Sequence, residues 1–271
     1  MTPVGRRRHI LAGAWVGVAI CATLPLATQR GSAQALRTCD EIEAFMRKAV
    51  LTVMKAPSAI MDDGRTNHRV FVHTKDESRT QFPDRDTWKA NLAAYELARM
   101  LQINIMPPYV EAKVNGQPGS VSWGLENVMM DEGQRTQRNV QPPDLDAWNT
   151  QMYVVQVFEE LVTNKRAPND LVITKDWRAW LLAPSQAFRP TKTIQNRDNL
   201  VKCDRKLLTR MRALDRNVLK GRLGKWLLED EIDALDARAG AIVQIFEDQI
   251  AARGEAAVLF DFDRSGPLCG L

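Results

Sequence analysis

The chain has 271 residues, with 37 lysines and arginines against 33 acids, three histidines and four cysteines. Its formal charge of +4 resides in the first 35 residues, which hold Arg6, Arg7, Arg8 and Arg30 and no acid. The remainder is balanced, so a sequence pI near 8.9 is no argument for nucleic-acid binding. Ordinary hydrophobic content without repeats or low-complexity runs excludes disordered, collagenous and solenoid classes.

The N-terminus reads as an export signal. Arg6-Arg7-Arg8 precede an apolar stretch, Ile10 to Ala27, that Gly13, Gly17 and Pro25 interrupt, and Ala33-Gln34-Ala35 is an A-x-A cleavage site. The stretch is too short and weak for a membrane-spanning helix, which needs ~20 strongly apolar residues. Arg7-Arg8-His9-Ile10-Leu11 resembles the twin-arginine signal. Residues 1–35 are therefore expected to be removed, leaving a periplasmic or extracellular protein with no transmembrane segment. Cys39, Cys203 and Cys269 remain, enough for one disulfide and one spare thiol, with the pairing open.

Glu41 to Met54 has helical spacing, with Ile42, Phe45, Met46, Ala49 and Val53 on one side. Asp62-Asp63-Gly64 reads as a turn and Arg69 to Lys75 as a strand. Asp86 can cap a helix reaching about Leu101. Tyr109 to Val114 and Val121 to Glu126 read as a hairpin around Asn115-Gly116, which favours positive φ. A polar connection, Asp131 to Pro143, leads to a helix from Asp144 or Asp146 through Leu161. Leu171 to Ile173 and Trp180 to Leu182 flank Lys175-Asp176 as a small hairpin, and from Asp204 the pattern is helical. The clearest helix carries Ile232, Leu235, Ala239, Ile242, Phe246 and Ile250 and ends at Arg253-Gly254. This order gives an α+β fold, in two lobes meeting near Glu126 to Gly133.

Three stretches, Asn91 to Val114, Pro118 to Glu126 and Gln141 to Arg189, together with the tail Ala251 to Phe260, resemble a group of bacterial proteins in the protein-kinase-like superfamily, nearer its HipA and phosphoinositide-kinase branch. The resemblance implies a small β-rich N-lobe over residues 36–130 and a mostly helical C-lobe over 131–271. It also implies a set of parts for phosphoryl transfer, which is mostly positioning and charge neutralisation. By this resemblance the phosphate-binding lysine falls on His73, with Lys75 two residues on. Its glutamate partner falls on Asn91, in Ala90-Asn91-Leu92-Ala93-Ala94-Tyr95-Glu96-Leu97. The catalytic aspartate falls on Asn164 or Lys165, the metal-binding asparagine on Asp170, and the metal aspartate on Ala183, in Ala183-Pro184-Ser185-Gln186-Ala187-Phe188-Arg189. The glycine-rich segment after Met54-Lys55 is deleted. No catalytic position is intact, no metal site is expected, and Lys75, Glu126 and Asp170 are what remains to meet a nucleotide.

Asp261-Phe262-Asp263 matches the metal-binding D-F-G only in letters, because it follows the last helix. The surface signal is Lys202 to Lys225, where Arg212, Arg216 and Lys220 recur every fourth residue. They suit an anionic partner or protein, or simple neutralisation by the acidic stretch Glu229 to Asp236. The expectation is an exported pseudokinase that binds a partner and needs no cofactor. The alternatives are a divergent phosphotransferase using ATP and magnesium through Lys75, Asp170 and an acid such as Asp176, or a structural envelope protein.

Overall fold

The computed structural model describes residues 38–77, 85–164 and 167–262. The export segment, Lys165, Asp263 and Cys269 lie outside the described residues. Helix α1 (Cys39–Lys48) opens with a capping box: Thr38 Oγ1 accepts from the Glu41 amide at 3.2 Å and Glu41 Oε2 from the Thr38 amide at 2.9 Å. It stops before strand β1 (Val50–Lys55), so the expected helix to Met54 is too long. Leu51 and Val53 alternate inward from a strand, a period-two signal that also satisfies helical spacing from Ile42.

The turn Ala56-Pro57 leads to β2 (Ser58–Asp62), and Asp62-Asp63-Gly64 turns into β3 (Asn67–His73). That strand ends two residues short of Lys75. Helix α2 (Trp88–Met100) is capped by the Thr87 hydroxyl, not by Asp86, which faces His73 instead. Strands β4 (Tyr109–Val114) and β5 (Gln117–Trp123) form the expected hairpin, pairing Val114 with Gln117. Asn115 and Gly116 sit at φ of 50° and 82°, as a type I′ turn requires. The five strands form one antiparallel sheet in the order β1-β2-β3-β5-β4.

Strand β6 (Val128–Asp131) ends where the polar connection read from the sequence begins, and a short helix α3 (Glu132–Gln137) occupies its first part. Helix α4 (Leu145–Val162) starts at Asp144 and ends with Thr163 in the left-handed region. Strands β7 (Leu171–Thr174) and β8 (Ala179–Leu181) form a second sheet with β6. Then come β9 (Cys203–Asp204), helices α5 (Arg205–Arg212), α6 (Arg216–Leu223), α7 (Glu229–Arg253) and α8 (Glu255–Val258), and β10 (Leu259–Phe260), which pairs parallel with β9. No helix among the described residues is long and apolar enough to cross a membrane.

Two apolar cores hold this together. The smaller packs α1 residues Ile42, Phe45 and Met46 against Val70, Val110 and Val121 of the sheet. Truncating a fully buried Ile42 to alanine would cost about 2–5 kcal/mol. The larger core begins at α2 and runs through α4, β7, β8 and α5 to α7. The β-rich N-terminal part and the helical C-terminal part are thus packed around separate cores, with α2 belonging to the helical one.

Candidate functional site

The face of the five-stranded sheet turned away from α1 is one wall of a cavity of about 490 Å³. Strand register decides which side chains reach it. Phe71 pairs with Ser122 and Ser122 with Tyr109, while His73 pairs with Ser120, so all five share that face. The opposite wall includes Val128, Val172, Leu182 and Ala183. Three positions singled out in the sequence therefore meet in one place: His73 from β3, Asn91 from α2 and Ala183 after β8.

Asn91 is 1% exposed and its Nδ2 donates to Ser120 Oγ at 3.0 Å, while its Oδ1 has no partner. Ala183 has φ of 44°, the left-handed region, and its amide donates to the Tyr109 hydroxyl at 3.0 Å. Burial pushes the Tyr109 phenol up to about 12, so it stays protonated across the physiological range. The His73 ring lies 3.0 Å from Asp86, whose other oxygen is 3.3 Å from Lys75 Nζ. Lys75 also meets Glu77 at 2.6 Å, and this carboxylate-rich surrounding raises its pKa.

The remaining expected residues do not line the cavity. Glu126 is exposed and lies 3.8 Å from His68. Asp170 accepts from the Ala167 amide at 2.8 Å within its own turn, and Asp176 accepts from Thr174 Oγ1 at 2.5 Å in the β7–β8 connection. Asn164, after α4, has an amide nitrogen without a partner. Among the described lining residues there is no carboxylate and no lysine, and Arg69, exposed, is the permanent charge. Sequence reasoning missed Asp86 as the shared partner of His73 and Lys75, because a helix-capping role explains an Asp there just as well. It also missed Tyr109, which reads simply as a strand aromatic.

Arg212, Arg216 and Lys220, the basic residues singled out in the α5–α6 stretch, are engaged within the chain. Arg212 meets Glu247 at 3.1 Å, Arg216 meets Glu229 and Asp233 at 2.6 Å each, and Lys220 meets Glu229 at 2.6 Å. Asp261 lies 3.6 Å from Arg205.

No protein-family model matches the sequence, and no curated protein sequence is similar to it. Solved structures are similar in fold. A Fam20 protein of hydra, solved with a sugar, superposes with a TM-score of 0.62 over 84% of this chain and 96% of that one, at 13% identity. The fold is protein-kinase-like. The structure of a golgi casein kinase agrees, with a TM-score of 0.57 over 84% of this chain and 81% of that one, at 11% identity. In this kinase-like fold the cavity lies between the β-rich and helical parts, and Ala56-Pro57 is the whole β1–β2 turn.

Proposed function

We propose that this chain is an exported kinase-fold pseudoenzyme whose cleft binds a ligand or partner without transferring phosphate. The observation that carries this reading is the meeting of His73, Asn91 and Ala183 in one cavity whose described lining has neither carboxylate nor lysine. A hard divalent cation takes oxygen ligands, carboxylates above all. The residues present do not fit it, and the triphosphate that such a cation would accompany has no lysine to receive it there. The export part of the reading rests on the N-terminal pattern and is supported by Cys39, which is disulfide-bonded, a state that persists in oxidising compartments.

The test is thermal unfolding of the purified protein with ATP, with and without magnesium. A ligand at a hundred times its Kd adds roughly 2.7 kcal/mol; no magnesium-dependent shift is expected. Ala183→Asp restores one oxygen ligand, and aspartate enters the left-handed region more readily than alanine, so this variant should gain magnesium-dependent nucleotide affinity. Equal, metal-dependent binding by both proteins would overturn the proposal.

A second reading, a divergent phosphotransferase, draws on the convergence of His73 and Lys75 on Asp86 at the edge of the cavity. It requires phosphate transfer that disappears in Lys75→Met, and metal-dependent ATP binding by the unaltered chain would favour it.

A further inference from the structure

We infer that the cleft takes a neutral, flat, largely apolar molecule that donates one hydrogen bond to the side-chain oxygen of Asn91. This rests on the binding reading above and names its ligand class. The cavity, at about 490 Å³, falls within the range of roughly 300–1,000 Å³ usual for small-molecule sites. Apolar surface lies on both sides, with Phe71 from the sheet facing Val128, Val172 and Leu182. Phe71 and Val128 are 37% and 45% exposed, so both walls leave apolar surface that a ligand would cover.

Asn91 supplies the polar end. It is buried to 1% exposure, yet Oδ1 is unpartnered while Nδ2 is taken by Ser120. An unpaired buried polar atom is destabilising, and a leucine at the same place on α2 would avoid that. Ligand charge is constrained by the same surroundings. A cation at Asn91 would find no carboxylate among the described lining residues, and an anion would face an acceptor oxygen. The His73 ring is turned to Asp86, and Arg69 is exposed with its guanidinium over Phe71 at 5.6 Å. What remains is a neutral donor, such as a heteroaromatic N–H or a phenol, at the inner end of an apolar ring system.

Indole and 1-methylindole are suitable probes, because they share shape and apolarity and differ in the one donor. Calorimetric titration of the purified protein should show indole binding at least about tenfold tighter, the loss expected from one buried hydrogen bond. In Asn91→Leu the ratio should collapse toward one. Val128→Arg, which changes an exposed residue of one wall, should weaken both probes and leaves the proposal testable even if Asn91→Leu fails to fold. Absence of indole binding up to its solubility limit, equal affinity for the two probes, or a preference that survives Asn91→Leu would overturn the inference and leave the absence of phosphate transfer standing. Magnesium-dependent ATP binding with transfer would instead overturn the function on which the inference rests.

Discussion

Charge is used differently on the two sides of this molecule. On the helical side, buried charged groups bond to backbone and side chains from distant segments, and two of them, Arg238 and Glu160, hold the connection after Ala183. Arg238 is wholly buried and donates to the carbonyls of Leu161 at 2.8 Å, Arg189 at 3.0 Å, and Thr191. Glu160 accepts from the amides of Gln195 and Asn196 at 3.0 and 3.1 Å and from Asn196 Nδ2 at 2.6 Å. Glu231 accepts from Arg85 at 2.9 Å and from the Leu228 amide at 2.8 Å. On the cleft side, His73, Asn91 and Ala183 stand where the kinase resemblance asks for charged groups, and a close backbone approach holds β3 beside β5.

The sharpest way to break this contrast is Arg238→Met. Burial lowers the Arg238 pKa to about 10, which still leaves the guanidinium charged at neutral pH. Methionine fills similar space but leaves the buried Leu161 carbonyl and the part-buried Arg189 and Thr191 carbonyls without their donor. The expected loss is at least about 1–3 kcal/mol, the cost of one buried acceptor left unpaired, read as a lower midpoint in urea unfolding. The matching change on the cleft side, Asn91→Leu, should alter stability by no more than about 1 kcal/mol, since removing an unpaired oxygen offsets the lost bond to Ser120. Equal losses in the two variants would erase the distinction.

A smaller effect comes from Gly124, where β5 leads out of the sheet beside β3. A Cβ there would lie 2.4 Å from the Arg69 carbonyl, to which the Gly124 amide also donates at 3.0 Å. Gly124→Ala must push β3 away, and overpacking of this kind costs about 1–3 kcal/mol. Because β3 carries Phe71 and His73, ligand affinity should fall with stability. On the helical side, a Cβ at Gly240 of α7 meets nothing within 4 Å, so Gly240→Ala should stabilise by roughly 0.5–1 kcal/mol. A stabilising Gly124→Ala would show that β3 and β5 are not held by this contact.

How much of this was legible in the sequence depends on whether the signal was local. The Asn115-Gly116 hairpin and helices α4 and α7 follow from turn chemistry and 3.6-residue periodicity, and each stands near its expected bounds. The β1–β2 hairpin did not show, because Val50 to Lys55 fits both periods, and β6, β9 and β10 are too short to carry a pattern. Asn91 and Ala183 are far apart in the chain, and only strand register and the packing of α2 bring them together with His73. Arg238, Glu160 and Glu231 read as surface charges on amphipathic helices. Nothing in their spacing reveals that partners from distant loops permit their burial.

The smallest predicted effect concerns His68, on the face of the sheet turned toward α1. Its ring lies flat against Trp123, with centroids 3.3 Å apart and planes at 5°, and Nε2 bonds the Gly124 carbonyl at 2.8 Å. Burial is the largest influence and lowers its pKa below the ordinary 6.5, against the raising effects of the Gly124 carbonyl and of exposed Glu126, and with Arg69 adding to the lowering. A folded-state pKa below the unfolded one means that the unfolded chain binds more protons between the two values, so stability rises with pH across that window. The contribution is fully present above the unfolded value near 6.5 and is lost as pH falls through the folded one. Wild type and His68→Gln should therefore have unfolding free energies whose difference is constant above about pH 7.5 and moves against wild type as the pH approaches about 5. Taking the difference cancels the carboxylates that titrate in both proteins. Parallel curves would mean that the ring gains its proton as easily in the fold as outside it. The face of the sheet turned toward α1, opposite the cleft, would then tolerate charge beside its apolar core.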